Sequence, residues 1–244
     1  MELKGSVAIV TGAAKRVGKA IALALAKKGV NIILHYNHSE AEAKATAQLI
    51  EREGVKAYSL RADLSQVKDI ERFVGQALMS AGRIDILVNS ASQFKETPLA
   101  QITEADWDTH LNTNLKGIFF LSNFVAKAML KQKQGKIVNI IDAHISRPYL
   151  NYLPYLVSKT GLAGLTLCLA RELAPYIQVN GISPGPVLMQ PSWGEKMIQE
   201  IIDSVPLQRI GAPEDIAKGV LFCVEGTDFM TGAVIPIDGG QRLK

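Results

Sequence analysis

Cysteine is nearly absent from this chain: Cys168 and Cys223 are the only two in 244 residues. Both fall in apolar helical patterns, which reads as two buried free thiols and leaves no disulfide framework, thiolate metal site or thiol nucleophile to build on. Histidine is scarce as well, with four. His110 and His144 lack partners at metal-ligand spacing, so structural or rim roles are expected and no metal site is. Charge of one sign is not in excess: 27 basic residues against 23 acidic ones leave a net charge of +4. That balance suits an anionic ligand such as a dinucleotide phosphate, and no Lys/Arg block resembles a nucleic-acid patch. The most basic stretch, Lys127–Lys136, reads as a solvated helix end. No apolar run reads as a membrane span, and Met1–Thr11 is a short strand-like run without a signal-peptide core. A cytoplasmic protein with no membrane partner is expected.

Apolar residues make up 48% and charged residues 20% of the chain, too little charge for disorder and enough apolar content for one large core. Short β-rich runs recur, each followed by a helical pattern. Val7–Val10 precedes a helix from about Val17 to Lys28, Asn31–Tyr36 one over Glu40–Glu53, and Ala57–Arg61 one over Val67–Ala81. Ile84–Asn89 leads to a long helix from about Glu104 to Lys131, and Ile137–Ile141 to one over Leu153–Ala174. Gln178–Ile182 leads into Leu188–Ser204, a stretch without a recognisable pattern, and Ala233–Ile237 closes the series. This alternation predicts βαβ units with right-handed crossovers: one α/β, doubly wound Rossmann domain over residues 1–244, with a parallel sheet of about seven strands and helices on both faces.

Ligands of such sheets collect beyond the carboxyl ends of the strands. The polar clusters of this chain lie there: Thr11–Gly18, His35–Ser39, Asp63–Leu64, Asn89–Phe94, Asp142 and Ser183–Gly185. The loop Thr11-Gly12-Ala13-Ala14-Lys15-Arg16-Val17-Gly18 follows the first strand and opens a helix. Its glycines permit a tight turn and a close backbone approach to pyrophosphate, and the free N–H groups at the helix start favour the anion. Arg16 stands where such loops usually carry their second glycine. It is either a surface residue near phosphate or a guanidinium holding phosphate and a ligand edge. Dinucleotide sites for NAD place Asp or Glu at the end of the second strand; here stand His35, Tyr36, Asn37, His38 and Ser39, with Lys15 on the adjoining loop. Polar donors without a carboxylate suit a 2′-phosphate, so NADPH is the expected cofactor. His38 is open to a plain turn role, and Asp63 to capping the next helix rather than accepting from adenine.

Tyr155 and Lys159 lie four apart, on one face of a predicted helix, so that an ammonium approaches a phenol. A neighbouring cation favours phenolate, and the pair suits proton transfer beside a hydride acceptor. Tyr152 lies seven residues before Lys159 and offers a second phenol two turns away. Asp142 ends the apolar run Ile137–Ile141; its bland reading is a cap of the loop after that strand. Leu111, Leu115, Ile118 and Phe119, with Gly117, Gly161 and Gly164, read as core or subunit contact. Met189 and Trp193 are expected to form a mobile cover over the pocket.

Thr11–Gly18, Asn89-Ser90-Ala91, Asn114, Tyr155-x3-Lys159, Pro184-Gly185 and Asp238-Gly239-Gly240 together resemble the short-chain dehydrogenase/reductase family over essentially the whole chain. Within that family the chain is most similar to the pteridine reductases. They share Thr11–Arg16, the His35-Tyr36 pair with its polar tripeptide, Ser92 and Phe94, and Asp142 in place of the usual catalytic serine. The departures are Ser90 for a second asparagine, Gln93 for a small residue and His38 for a basic one.

The resemblance implies an NADPH-dependent reductase of dihydropterins or pterins, with dihydrofolate as a further substrate, in a homotetramer. It implies that Lys159 binds the nicotinamide ribose and tunes Tyr155, that Tyr155 donates the proton, and that Asp142 orients that acid. Ser92 and Arg16 would hold polar edges of the bicyclic ring, Phe94 would stack on its face, and Asn114 would anchor a water in the relay. Gly12, Val17, Asp63, Leu64, Asn89, Ser90, Ala91, Pro184 and Gly185 would line the cofactor.

An ionised Asp142 disfavours a carbonyl substrate on physical grounds. Carbonyl reduction builds charge on oxygen, and at about 4 Å in an effective dielectric near 20 a carboxylate opposes it by on the order of 4 kcal/mol. A ring C=N bond, taking hydride on carbon and a proton on nitrogen, avoids that clash. Two alternatives stay open: a 3-ketoacyl or enoyl thioester reductase, the latter using the Tyr152 spacing, and a non-catalytic NADP-binding regulator.

Overall fold

The computed structural model describes residues 1–189 and 194–244. Strands β1 (Val7–Val10), β2 (Asn31–Tyr36), β3 (Ala57–Arg61), β4 (Ile86–Asn89), β5 (Gly135–Ile140), β6 (Ile177–Pro184) and β7 (Val234–Ile237) pair in parallel throughout, in the order β3-β2-β1-β4-β5-β6-β7. The alternation of side chains along a strand sorts the core into two layers. Ala8 and Val10 of β1 face a cluster with Ile21, Leu25, Ile50 and Val220, whereas Val7 and Ile9 face one with Phe73, Leu121, Val125 and Leu169. The first layer is closed by α1 (Arg16–Ala26), α2 (Glu40–Glu51) and α8 (Pro213–Leu221), the second by α3 (Val67–Ala81), α5 (Gly117–Gln132) and α6 (Leu153–Leu173). Each fully buried large side chain contributes about 1.5–3 kcal/mol relative to exposure.

The strand order reverses between β1 and β4, and the crevice that opens there at the carboxyl ends is where a doubly wound sheet binds ligand. The single helix expected from Glu104 to Lys131 is interrupted. α4 (Glu104–Leu111), started by a capping box between Thr103 and Asp106, runs into a π turn over Asn112–Lys116 before α5 begins. The wide turn takes one residue more than an α turn and carries Asn114 at its middle. Two short helices went unread in the sequence: α7 (Glu195–Ser204), inside the stretch without a pattern, and α8 after it.

Two expectations need correcting. α6 is by length and composition able to cross a membrane, contrary to the sequence reading; half of that window is buried against the rest of the protein, and the helix carries Tyr155 and Lys159, as a core helix does. Cys168 is exposed rather than buried, because it follows Leu167 on the outward face of α6, while Cys223 is buried. The small residues divide: Gly117 and Gly161 serve packing within the chain, against the Leu64 carbonyl and the Leu115 side chain, and only Gly164 faces open space. The expected cover cannot be followed, since Trp193 lies outside the described residues; Met189 is exposed.

Candidate active site

The loop after β1 is shaped for a backbone ligand. Gly12 has φ +64°, and a Cβ there would stand 3.0 Å from Cα of Ala91; a Cβ on Gly18 would strike the Gly12 carbonyl. The second loop of the crevice is tied on by Thr11, whose Oγ1 accepts from the amides of Ser90 and Ala91 at 2.8 and 2.9 Å. Thr11 was part of the motif, but its role as the clasp between two loops was not legible. Arg16, with φ +57°, adopts the left-handed backbone that a glycine would take, so it keeps the turn and adds an exposed guanidinium. Val17 is half-buried beside it.

Around the end of β2 the expected residues separate. His35 is buried, with Nδ1 accepting from the Gly12 amide at 3.2 Å and Nε2 donating to the Ala62 carbonyl at 3.0 Å. With both nitrogens engaged it supports the loop and has no free edge for a 2′-phosphate, which corrects its assignment as a direct contact. Burial pushes its pKa down from 6.5 to about 4, so the ring is neutral, as an acceptor Nδ1 requires. Tyr36, Asn37 and Ser39 are half-buried and His38 is exposed. Lys15 is exposed and lies 4.0 Å from Glu42. Arg61, read in the sequence only as a strand end, donates through Nε to the Asn37 carbonyl at 3.0 Å and puts a further guanidinium beside this corner. Its signal was a cation ending the neighbouring strand, visible only once β2 and β3 are paired.

Asp63 accepts from the Ser65 amide at 2.9 Å, in the turn before α3; it does not cap that helix, whose N-cap is Gln66, and Leu64 is buried. The Asn89 side chain is also corrected: it points into the interior, donating to Ser122 Oγ at 3.1 Å and Asn139 Oδ1 at 2.8 Å, which leaves its main chain for any ligand. Gly185 is pinned beside Pro184 by a bond from its amide to the Ile237 carbonyl at 3.0 Å, on the far side of the crevice.

The candidate reacting groups meet where α6 passes the end of β5. The Tyr155 hydroxyl donates to Oδ2 of Asp142 at 2.7 Å. Oδ1 accepts from the amide of His144 at 2.8 Å and from its ring Nδ1 at 3.0 Å, so Asp142 caps the short turn after β5 and also holds the phenol. Lys159 is buried, with Nζ donating to the Ile140 carbonyl at 2.8 Å and lying 5.8 Å from the Tyr155 ring centroid. Burial lowers its pKa from 10.5 to about 8, against the opposing pull of Asp142. Burial, then the charge of Asp142, drives the Tyr155 pKa well up, so the phenol keeps its proton, the form a general acid needs.

Asn114 is buried in the π turn; its Oδ1 accepts from the Gln93 amide at 2.8 Å, and its Nδ2 donates to the Gln93 carbonyl at 2.9 Å and to Ser158 Oγ at 3.0 Å. Ser158 completes that bridge by donating to the Tyr155 carbonyl at 2.6 Å, a role the sequence did not reveal. Holding Gln93 fixes the loop that carries Ser92 and Phe94. Ser92 is exposed. The Phe94 ring stacks on Tyr152 at 4.6 Å and stands edge-on to Tyr155 at 4.7 Å, making an aromatic wall over the phenol.

Among the described residues no cluster of side chains could hold a metal ion. The glycine cradle, the free helix start and the buried Tyr–Lys pair fit a nicotinamide dinucleotide, which supplies or takes up hydride when bound. Fold and site together define a dinucleotide-dependent oxidoreductase. A family model described as enoyl-(acyl carrier protein) reductase matches residues 12–242, and the chain belongs to the short-chain dehydrogenase/reductase family, whose members use NAD(P)H. It is 32% identical to the 3-oxoacyl-[acyl-carrier-protein] reductase FabG of Staphylococcus epidermidis, over 97% of this chain and 98% of that one. It is 35% identical to the (2S)-[(R)-hydroxy(phenyl)methyl]succinyl-CoA dehydrogenase subunit BbsD of Thauera aromatica, over 100% and 99% of the two chains. A crystal structure from Sinorhizobium meliloti 1021, described as a short-chain alcohol dehydrogenase, superposes with a TM-score of 0.93 at 34% identity, over 100% of this chain and 98% of that one.

Proposed function

We propose that the protein is an NADPH-dependent reductase of dihydropterins or pterins, with dihydrofolate as a further substrate. The observation that carries this reading is the 2.7 Å bond from the Tyr155 hydroxyl to Asp142. A carboxylate bound to the proton donor opposes an oxyanion by on the order of 4 kcal/mol, roughly a thousandfold in rate. It accepts instead from the N–H groups of a pterin while Tyr155 protonates ring nitrogen. The Phe94–Tyr152 wall suits a flat bicyclic ring, with Ser92 and Arg16 at its polar edges. The absence of a carboxylate at the end of β2, with Lys15, His38 and Arg61 at that corner, supports NADPH over NADH.

A second reading, a 3-oxoacyl thioester reductase, is favoured by the names of relatives that match along nearly the whole chain. A shared fold at such identity leaves substrate choice to the site, and the site differs from that of a serine-dependent ketone reductase at Asp142. The enoyl alternative has less support, since Tyr152 stacks on Phe94 while Tyr155 meets Asp142. A regulator would need only the nucleotide loop, not this intact Tyr155–Lys159–Asn114 set. Exposed Phe119, Val157 and Leu167 on α5 and α6 support a homo-oligomer, read as a homotetramer, and a cytoplasmic location is part of the same reading.

NADPH oxidation with dihydrobiopterin, dihydrofolate, an acetoacetyl thioester and a crotonyl thioester tests the reading. Turnover of the pterins is expected; turnover confined to thioesters rejects it. Tight NADPH binding with no turnover of any substrate favours the regulator.

A further inference from the structure

The pair of Tyr155 and Asp142 has a third member. His144 bonds Oδ1 of Asp142 twice, through its amide at 2.8 Å and its ring Nδ1 at 3.0 Å, on the side of the carboxylate away from the phenol. Capping the turn after β5 needs only the amide; the ring bond is additional. A carboxylate oxygen only accepts, so Nδ1 carries a hydrogen and Nε2 is the atom that gains or loses a proton. The ring packs against Tyr149, at 4.4 Å between centroids, and is partly exposed. It lines a cavity of about 210 Å³ that it shares with Arg147, Ser204 and Arg242 and that Tyr155 does not line.

We propose that His144 is a positioning residue that acts through Asp142, coupling the proton-donating strength of Tyr155 to the pH of this second cavity. When the ring is protonated its charge offsets that of Asp142, and Tyr155 releases its proton more readily. When the ring is neutral the carboxylate is uncompensated and holds the phenol proton more tightly. No proton crosses the carboxylate: the one lost by Tyr155 ends on the reduced substrate, and His144 keeps its own. The charged and titratable groups facing the ring are Asp142 on its own turn, Arg147 three residues on, Tyr149 against its face and Arg242 across the cavity. The Arg242 guanidinium is directed onto Asp238 at 2.9 Å, so its opposition to a charged ring is partly offset.

This inference rests on Tyr155 being the proton donor and not on the class of substrate. In the full-length enzyme with NADPH and the best substrate, the single-turnover rate of hydride transfer is expected to fall as pH rises through an ionisation between about pH 5 and 8, the range in which imidazoles titrate. His144→Asn keeps a donor near Asp142 but no titrating charge. It should lose that ionisation and run, like His144→Ala, at the slow plateau of the wild type, about tenfold below the fast one, the factor equal to one pKa unit of coupling. A His144→Asn enzyme restored to the fast rate, or retaining the ionisation, would show that the ring is only a structural prop. A second arm needs no substrate: NMR of labelled histidine rings should show the His144 Nδ1 hydrogen held by its bond to Asp142 in the wild type and released to solvent exchange in Asp142→Asn. A His144 ring signal unchanged by Asp142→Asn overturns the coupling even if no reductase activity is found. Coupling without turnover leaves it standing and sets aside the pterin reading instead.

Discussion

The imidazole of His35 accepts the amide hydrogen of Gly12, so a buried ring on β2 holds the glycine turn proposed to cradle the cofactor phosphates. Protonation at Nδ1 would set hydrogen against hydrogen and break that bond. The folded pKa is about 4 against 6.5 in the unfolded chain, so between those values the unfolded state binds more protons. Stability is therefore full above about pH 6.5 and is lost as pH falls toward 4, by about 3 kcal/mol at most. Denaturant unfolding from pH 7 to 4 should show this slope, and His35→Asn should flatten it. Parallel slopes in the two proteins would mean that other groups cause the acid sensitivity.

Asp142→Ser separates the two substrate readings. Serine donates to an oxyanion where the carboxylate repels it, but it loses the charged acceptor. The variant is expected to lose about 100-fold in pterin reduction, within the usual range for a proton-transfer group, and to gain on an acetoacetyl thioester. NADPH affinity, measured by fluorescence titration, should hardly change. Unaltered pterin turnover would make the carboxylate incidental to catalysis.

The sheet was legible because its strands are Val/Ile-rich runs separated by helical periodicity, and β2 and β3 fall where the pattern puts them. Tyr155, Lys159 and Asp142 were legible as a set because a four-residue helical spacing and a strand end fix where such side chains point. What escaped depended on contacts distant in sequence or on local geometry without a periodic mark. The π turn at Asn112–Lys116 looks like ordinary helix in the sequence, yet it buries Asn114 against Gln93 and Ser158. His35 and Asn89 were assigned to ligand by position alone; their side chains turn inward because neighbouring strands and helices offer them partners. For His144 the sequence supports only a structural or rim role without naming a partner, since nothing in it shows a ring folding back two residues onto its own cap.

Tyr152 is the N-cap of α6 and Tyr155 lies in its first turn, and only Tyr155 is proposed as the acid. Tyr155 is buried, bonded to Asp142 and next to the Lys159 ammonium, whereas Tyr152 stacks on Phe94 at the wall. Tyr155→Phe should cost about 100-fold or more in kcat, as loss of a general acid does. Tyr152→Phe keeps the stacking ring and should act mainly on KM. Steady-state kinetics of both variants decide the matter, and the opposite ranking would give the chemistry to the enoyl-type spacing.

Arg16 holds a left-handed backbone at φ +57° while projecting a guanidinium at the edge of the crevice. A side chain in that conformation costs about 1–2 kcal/mol, which glycine does not incur. Strain kept at a ligand-facing turn is a reason to look for function in the side chain rather than in the fold. Arg16→Ala retains the backbone cost and loses the charge; Arg16→Gly loses both. Arg16→Gly is therefore expected to be more stable than Arg16→Ala by about 1 kcal/mol, the left-handed term less the greater chain entropy of glycine. Both should bind their ligands about tenfold more weakly than wild type, the effect of losing one charge-assisted hydrogen bond. Thermal unfolding compares the backbones, and titration with NADPH, followed by substrate KM, shows which ligand the guanidinium serves. If both variants bind NADPH and substrate as the wild type does, Arg16 is a surface residue that tolerates its conformation for no gain at the site.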